Sequence, residues 1–154
     1  PNLNPNPNPN IDAAQYEQKP NEIFPPEIAA STDRPDGVIW SRKTKTVVWI
    51  ELTSPWEENM TTWHYKKMFN YNQIKIDAEA RGWEVYPLYV EVACRGYVGK
   101  TFDYVKRVLG FTKAEARQLK QTMEYTALLC SYTIFNHRYT REWQEKAPLD
   151  VSQR

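Results

Sequence analysis

The sequence predicts an α/β domain in which a β-hairpin and a further strand form a mixed sheet, with a crossover helix and C-terminal helices packed on it. Residues 47–53, Val-Val-Trp-Ile-Glu-Leu-Thr, are almost continuously β-branched or aromatic, which is typical of a strand covered on both faces. A helical pattern follows over residues 54–82, and a second strand pattern occupies residues 84–92. A helix that crosses between two strands favours a mixed sheet with helices on its faces.

Length and composition predict one folded domain. The chain has 154 residues, of which 41% are hydrophobic, with Trp at 6 and Tyr at 10 positions. We assign residues 11–145 to this domain and residues 146–154 to a polar tail. Residues 1–10 repeat Pro and Asn, and we interpret them as a flexible lead-in or as a remnant of excision from a longer protein.

Charge and cysteine content narrow the functional classes. The net charge of +1 excludes a uniformly basic surface, so any nucleic-acid-binding surface must be a local patch. The two cysteines, Cys94 and Cys130, form neither a zinc pattern nor a disulfide framework. We therefore expect a reducing, intracellular compartment, the nucleus included. Without a signal peptide or an apolar run of about 18 residues, no membrane association is expected.

Two acidic residues are expected to meet at one end of the hairpin. The polar stretch 41–46 has the length of a hairpin loop, and its closure brings Asp36 next to Glu51. A carboxylate at the end of an apolar strand is costly unless it is paired, and a hard cation such as Mg²⁺ is one such partner. The alternative is that Pro35-Asp36 forms an ordinary turn.

The crossover helix is predicted to begin at a capping box of Ser54, Pro55 and Glu57 and to end at Gly82. One charged side chain, Lys67, interrupts its inward stripe. Its stem lies along the core with the ammonium in water, or else the ammonium reaches a buried carboxylate. The predicted stripe is Trp56, Met60, Trp63, Lys67, Tyr71, Ile74 and Ala78.

The second strand and the C-terminal helices are predicted from proline, glycine and capping residues. Pro87 marks a break or an edge position in the strand at residues 84–92. A short helix over residues 101–109 ends at Gly110, and a capping box at residues 112–115 opens a long helix. The helical periodicity of the long helix predicts that Cys130 is a core residue. The predicted inward stripe is Ala116, Leu119, Met123, Ala127, Cys130 and Ile134.

Basic residues gather in the C-terminal third of the chain. They would line a DNA-facing rim that makes salt-sensitive, sequence-independent phosphate contacts, or they form a solvated helix face. They are Lys100, Lys106, Arg107, Lys113, Arg117, Lys120, Arg138 and Arg141.

Three strings of residues carry a family resemblance. They are residues 34–41, 51–59 and 90–98: an acid after Pro, a Glu-x-x on the next strand, then a helix and a further strand. This order resembles the PD-(D/E)XK, or restriction-endonuclease-like, nuclease superfamily. More narrowly, it resembles a nuclease-like domain of eukaryotic retroelement-derived and uncharacterised proteins. The resemblance covers roughly residues 24–110.

The resemblance implies a restriction-endonuclease-like core and a metal-dependent nuclease. In this family pattern Asp36 and Glu51, with the backbone carbonyl of Leu52, would bind Mg²⁺ or Mn²⁺, and a water would attack a phosphodiester bond, most of all in DNA. Many members of the superfamily form homodimers that cut both strands, so the resemblance also implies a homodimer.

The chain departs from the family pattern at one position. Thr53 stands where the superfamily has its lysine, and a threonine supplies no positive charge to the reacting phosphate. Either Lys67 replaces that lysine from the helix, as lysines do elsewhere in the superfamily, or the domain is catalytically inactive and binds nucleic acid or protein.

Several other residues are candidates for supporting the site or contacting substrate. Four of them also have a structural interpretation: capping for Glu57, a surface or boundary position for His64, core packing for Tyr71, and a salt bridge to Glu91 for Arg95. The candidates are Glu27, Thr53, Glu57, His64, Tyr71 and Arg95.

Overall fold

The structure is a computed structural model that describes residues 17–19 and 24–140. The predicted lead-in (1–10) and tail (146–154) lie outside the described residues. The strands are β1 (Glu17–Lys19), β2 (Gly37–Ser41), β3 (Thr46–Thr53) and β4 (Glu84–Glu91). The helices are α1 (Met60–Asn70), α2 (Asn72–Ala80), α3 (Phe102–Leu109) and α4 (Lys113–His137).

The strands form one sheet in the order β1-β2-β3-β4. Strands β1, β2 and β3 pair antiparallel, and β4 runs parallel to β3 after the crossover through α1 and α2. The prediction of an α/β domain with a mixed sheet is confirmed. The three-residue strand β1 was not predicted, because its sequence carries no alternating apolar pattern.

The predicted hairpin is present. Its ladder runs from the pair Gly37–Ile50 to the pair Ser41–Thr46, and residues 42–45 form the loop. The side chains of Val47, Val48 and Trp49 are fully buried, as expected for a strand covered on both faces.

Each face of the sheet has its own core. The face that carries Val47 and Trp49 packs against α1, α2 and the segment before β2; the buried residues of this core include Phe24, Ile28, Trp40, Tyr71, Ile74 and Ala78. The face that carries Val48 packs against α3 and the start of α4; its buried residues include Leu88, Val90, Phe102, Val105, Val108 and Ala116. The described fold is therefore a sheet between two helical layers.

The predicted start of the crossover helix is wrong. Ser54 does not cap a helix: a 3-10 turn at Glu57–Asn59 comes first, and α1 begins only at Met60. The Glu57 carboxylate instead accepts hydrogen bonds from Arg95, so it is not available as a cap. A break at Tyr71 separates α1 from α2, while the predicted end is confirmed by the left-handed Gly82, with φ of 78°.

These departures change which side chains face inward. Trp56 and Trp63 were predicted to lie inward, but 61% and 37% of their surfaces are exposed. Trp56 precedes the helix and does not share its periodicity. The prediction holds for the second half of the stripe, where Tyr71, Ile74 and Ala78 are buried.

Pro87 occupies an edge position and does not break its strand. Its register partner is Trp49, and among the described strands β4 has no neighbour on its other side. The amides of Glu84 and Val92 point toward β3, where they donate to Lys45 O and Thr53 O. By alternation the amide position of residue 87 points away from β3. The missing N–H of Pro87 therefore costs the ladder nothing.

The C-terminal helices begin and end as predicted. Gly110 adopts the left-handed conformation after α3, with φ of 70°, and Thr112 and Glu115 form a reciprocal capping box at the start of α4. The prediction that Cys130 is a core residue is wrong, because its side chain is exposed. Only Ala116 of α4 is buried, so most side chains of this helix, that of Cys130 included, are not covered as the predicted stripe requires. Across the described helices, none combines the length and apolarity that crossing a bilayer requires.

Candidate active site

Asp36 and Glu51 converge at the open end of the hairpin. Asp36 immediately precedes β2, and the last ladder pair is Gly37–Ile50, so Asp36 comes opposite Glu51. The Asp36 carboxylate accepts a hydrogen bond from the backbone N–H of Leu52 through Oδ2, at 2.7 Å. The backbone of β3 thus holds the acid of β2 in place.

The Glu51 carboxylate is buried, and each of its oxygens has one partner. Only 4% of its residue surface is exposed, and a buried carboxylate is stable only with hydrogen bonds or a counter-charge. The ammonium of Lys67 pairs with Oε1, and the hydroxyl of Tyr71 donates to Oε2 at 3.0 Å. Lys67 therefore reaches a buried carboxylate, the second of the two arrangements considered for it.

Two tyrosines next to Glu51 remain protonated at neutral pH. Burial, followed by the charge of Glu51, raises the pKa of Tyr71 far above its ordinary value; smaller contributions come from Asp33 and Asp36. Burial also raises the pKa of Tyr89, the register partner of Glu51, to about 12; the contact with Trp49 opposes this rise, and the charge of Glu51 makes a smaller contribution that adds to it. Both phenols thus keep their protons, and that of Tyr71 donates to Glu51. Neither Asp33 nor Tyr89 was predicted to belong to the site.

We expect these raised pKa values to make the fold lose stability in alkali. Above about pH 10 the unfolded chain releases its phenolic protons while the folded chain keeps that of Tyr89 until about pH 12. The free energy of unfolding should therefore fall between these pH values, by up to about 1.4 kcal/mol per pH unit for one such group. Urea unfolding at a series of alkaline pH values measures the slope.

The matched comparison is Tyr89→Phe against Tyr125→Phe. Tyr89→Phe should flatten the alkaline slope, whereas the change at Tyr125, which is 67% exposed, should not. Equal slopes for the wild type and Tyr89→Phe would contradict the raised pKa.

A second buried carboxylate, Glu91, lies at the end of β4. Its side chain is 3% exposed. One oxygen lies 2.8 Å from His64 Nδ1, and the other accepts a hydrogen bond from the Thr101 hydroxyl at 2.5 Å. Gly99 lets the chain pass close by, since a Cβ there would lie 3.4 Å from Glu91 Oε2 and 3.0 Å from Met60 Cε.

Glu91 and Thr101 were missed as site residues. Glu91 was considered only as a partner for Arg95. The available signal was position: β3 and β4 are parallel, and Glu91 is the register partner of Thr53, two residues beyond Glu51. The ends of parallel strands meet at one edge of a sheet, so an acid at each end predicts a shared site. His64 connects the two, because it lies one turn before Lys67 on α1.

The remaining candidates have other contacts. Glu27 accepts a hydrogen bond from Arg42 at 2.7 Å, at the loop end of the hairpin, so it is not brought to Asp36 and Glu51. Arg95 pairs with Glu57 rather than with Glu91. Thr53 lies at the end of β3 on the same face as Glu51, half-buried.

Few oxygen atoms near Asp36 are available as ligands for a hard cation. No group of three or more His, Cys, Asp or Glu side chains that could hold a metal ion occurs among residues 17–19 and 24–140. The Thr53 carbonyl points to β4, where it accepts from Val92, so by alternation the Leu52 carbonyl points to the Asp36 side, past the end of the β2–β3 ladder. Two carboxylates and this carbonyl suffice for Mg²⁺, which keeps several of its waters.

Six of the predicted basic residues line one groove of about 920 Å³ between α3 and α4, here called the cationic groove. Asp103 is the single acid among the described residues that line it. The hydrogen bond and charge of Lys106 lower the pKa of Asp103, with smaller contributions from Lys120 and Arg107, so cations of both helices converge here. The six are Lys100, Lys106, Arg107, Lys113, Arg117 and Lys120.

One end of the cationic groove lies close to Glu91. Gly99 and Lys100 line it, and the next residue, Thr101, donates to Glu91. Arg138 lies apart from it at the far end of α4, and Arg141 lies outside the described residues.

Comparison of the chain with protein-family models, with curated proteins and with solved structures finds no match. The family resemblance of the sequence strings therefore stays a prediction.

Proposed function

We propose that this chain is a Mg²⁺-dependent nuclease of the PD-(D/E)XK, restriction-endonuclease-like type, which hydrolyses phosphodiester bonds in DNA. One observation carries the proposal: Lys67 extends from α1 to Glu51, which faces Asp36. Two acids and an ammonium thus meet at one strand end. This is the set that the family pattern requires, with Lys67 standing in for the uncharged Thr53.

Asp36 and Glu51, with the Leu52 carbonyl, are the residues that would hold Mg²⁺. Hard oxygen donors suit this ion, and one oxygen of Asp36 is fixed by Leu52 N–H while the other has no hydrogen-bond partner among the described residues. When bound, the ion would supply Lewis acidity to water and neutralise charge on the phosphate. Mn²⁺ would serve the same ligands.

The chain's own groups would complete the chemistry. In hydrolysis, the water oxygen forms a bond to phosphorus while the bond to the leaving oxygen breaks. The water gives up a proton, and the leaving oxygen gains one. Lys67 would stabilise the negative charge that develops on the phosphate oxygens. Tyr71 holds Glu51 in its orientation through a hydrogen bond, and its raised pKa keeps it a donor.

The cationic groove supports a polyanionic substrate. One end of the groove, at Gly99 and Lys100, precedes Thr101, which donates to Glu91, so a strand whose phosphates lie in the groove would pass near Glu91. Contacts of this kind are independent of base sequence and weaken with salt.

A second candidate is a catalytically inactive domain that binds nucleic acid or protein. It is favoured by one observation: Lys67 and Tyr71 already engage both oxygens of Glu51, so that carboxylate is satisfied without a metal. The same experiment separates the two candidates.

We expect the wild type to nick supercoiled DNA in Mg²⁺ or Mn²⁺ and not in chelator. Asp36→Asn should lower the rate at least ~10²-fold at limiting metal, because the ion contributes several kcal/mol to transition-state stabilisation and Asp36 is one of few ligands. The rate of conversion of supercoiled to open-circular DNA measures the effect.

The control is Asp77→Asn, which changes a carboxylate on α2 whose one hydrogen-bond partner among the described residues is Gln73. It should cleave like the wild type. If the wild type fails to cleave supercoiled or single-stranded DNA with either ion, or if the Asp36 and Asp77 variants cleave equally, the nuclease proposal is lost and the binding domain remains.

A further inference from the structure

A second groove, of about 650 Å³, lies between the end of β3 and the C-terminal half of α4. We call it the aromatic groove and define it by Thr53, Trp56, Trp63, Ile134, Phe135 and Arg138. Arg138 is the only charged side chain among the described residues that line it, so the groove contains no acid.

The rings of the aromatic groove are exposed. Trp56 and Phe135 are each 61% exposed and Trp63 is 37% exposed. Such clustered apolar surface is uncommon on a soluble protein without a function in binding. Two contacts hold the segment that carries Trp56: the hydrogen bond from Cys94 N to Pro55 O at 3.0 Å and the Arg95–Glu57 ion pair.

Cations lie against these rings. The guanidinium carbon of Arg138 is 3.6 Å from the centroid of the Phe135 ring, and Lys66 Nζ is 4.5 Å from the centroid of Trp63. The groove therefore presents flat aromatic faces next to positive charge. A partner that is itself flat and aromatic but carries negative charge is complementary to both features.

We propose that the aromatic groove binds unpaired bases of single-stranded nucleic acid next to the carboxylate site. Bases stack on aromatic side chains whatever their sequence, and the phosphates between them would pair with Arg138 and Lys66. A duplex hides the faces of its bases within the stack, so it gains nothing from these rings. This inference deepens the proposed function, and it rests on that function only for the role of the neighbouring site.

The groove lies beside the site. Thr53 lines the groove and lies two residues after Glu51 on the same face of β3. A strand whose bases lie on Trp56 and Phe135 would therefore bring its backbone to the end of β3, next to the carboxylate site. The expected substrate is thus single-stranded DNA, or the single-stranded part of a branched structure, rather than a continuous duplex.

Binding without cleavage tests this inference. The anisotropy of a fluorescent oligothymidylate and of a hairpin duplex of equal charge is measured with the full chain in chelator. Trp56→Ala and Phe135→Ala should each weaken binding of the single strand by roughly 5- to 150-fold, the range for one stacked base. They should leave duplex binding almost unchanged, and Trp56→Phe should keep most of the affinity.

The matched controls are Phe69→Ala and Tyr125→Ala, which remove exposed rings of α1 and α4 outside the groove and should bind like the wild type. Circular dichroism confirms that each variant folds. The inference is overturned if the wild type does not bind the single strand more tightly than the duplex, if the groove variants bind like the controls, or if they weaken both ligands equally. Failure of DNA cleavage does not affect these outcomes, because no metal is present.

Discussion

Lys67→Met is expected to lower the rate of DNA cleavage about 10²- to 10³-fold, and adding Thr53→Lys is expected to restore a large part of that rate. Loss of one preorganised donor aimed at developing charge has an effect of this size. Position 53 lies on the same face of β3 as Glu51, so a lysine there reaches the same carboxylate from the strand. Nicking of supercoiled DNA at saturating Mg²⁺ gives the rates.

The control for charge is Lys75→Met, an exposed lysine of α2 that pairs with Glu79 on the surface. It should cleave at the wild-type rate. Lys67→Met also removes the counter-charge of a buried carboxylate, so urea unfolding must accompany the rates. Equal rates for the two methionine variants, or a double variant that is as stable as the wild type but no faster than Lys67→Met, would contradict the role given to Lys67.

Glu91→Ala is expected to lower the free energy of unfolding by about 2–4 kcal/mol. Glu91 is 2% exposed and satisfies Thr101 and His64 together, across β4, the start of α3 and α1. Hydrogen bonds to a charged group contribute about 1.5–3 kcal/mol each, and removal of one partner leaves the others unpaired in a buried site. Urea unfolding of the full chain measures the loss.

Two further variants test whether the lost stability comes from the contacts of Glu91. Glu84→Ala removes an exposed acid from the other end of the same strand and should change the stability by no more than about 0.5 kcal/mol. Thr101→Val leaves one oxygen of Glu91 without a donor and should cost about 1–3 kcal/mol. If Glu91→Ala and Glu84→Ala have the same free energy of unfolding, the contacts of Glu91 do not stabilise the packing of β4 against α1 and α3.

Sequence patterns predicted the parts of the site that depend on local geometry. The hairpin follows from a continuous apolar strand with a polar loop before it, and antiparallel pairing then brings Asp36 to Glu51. Lys67 was located by helical periodicity alone, because it lies four residues before Tyr71 on the inward face. Residue identity and spacing were sufficient for these contacts, although they do not establish the reaction.

The contacts that were missed depend on long-range packing. Residues 54–57 match the capping-box pattern, which depends only on local sequence. In the structure Glu57 instead pairs with Arg95, which is distant in sequence. Periodicity shows which face of a helix is apolar and not whether anything covers it, so Cys130 was predicted to be buried although it lies on the exposed length of α4. To predict that Glu91 belongs to the site, one needs the register of β4 against β3, which the sequence does not determine.

The proline in β4 has a consequence for how molecules of this protein can associate. Its imino nitrogen lies on the edge of β4 that no other described strand covers, midway along an eight-residue strand, so an incoming extended segment would find its row of donors interrupted. Self-assembly through a shared, continuous sheet is therefore disfavoured along this edge.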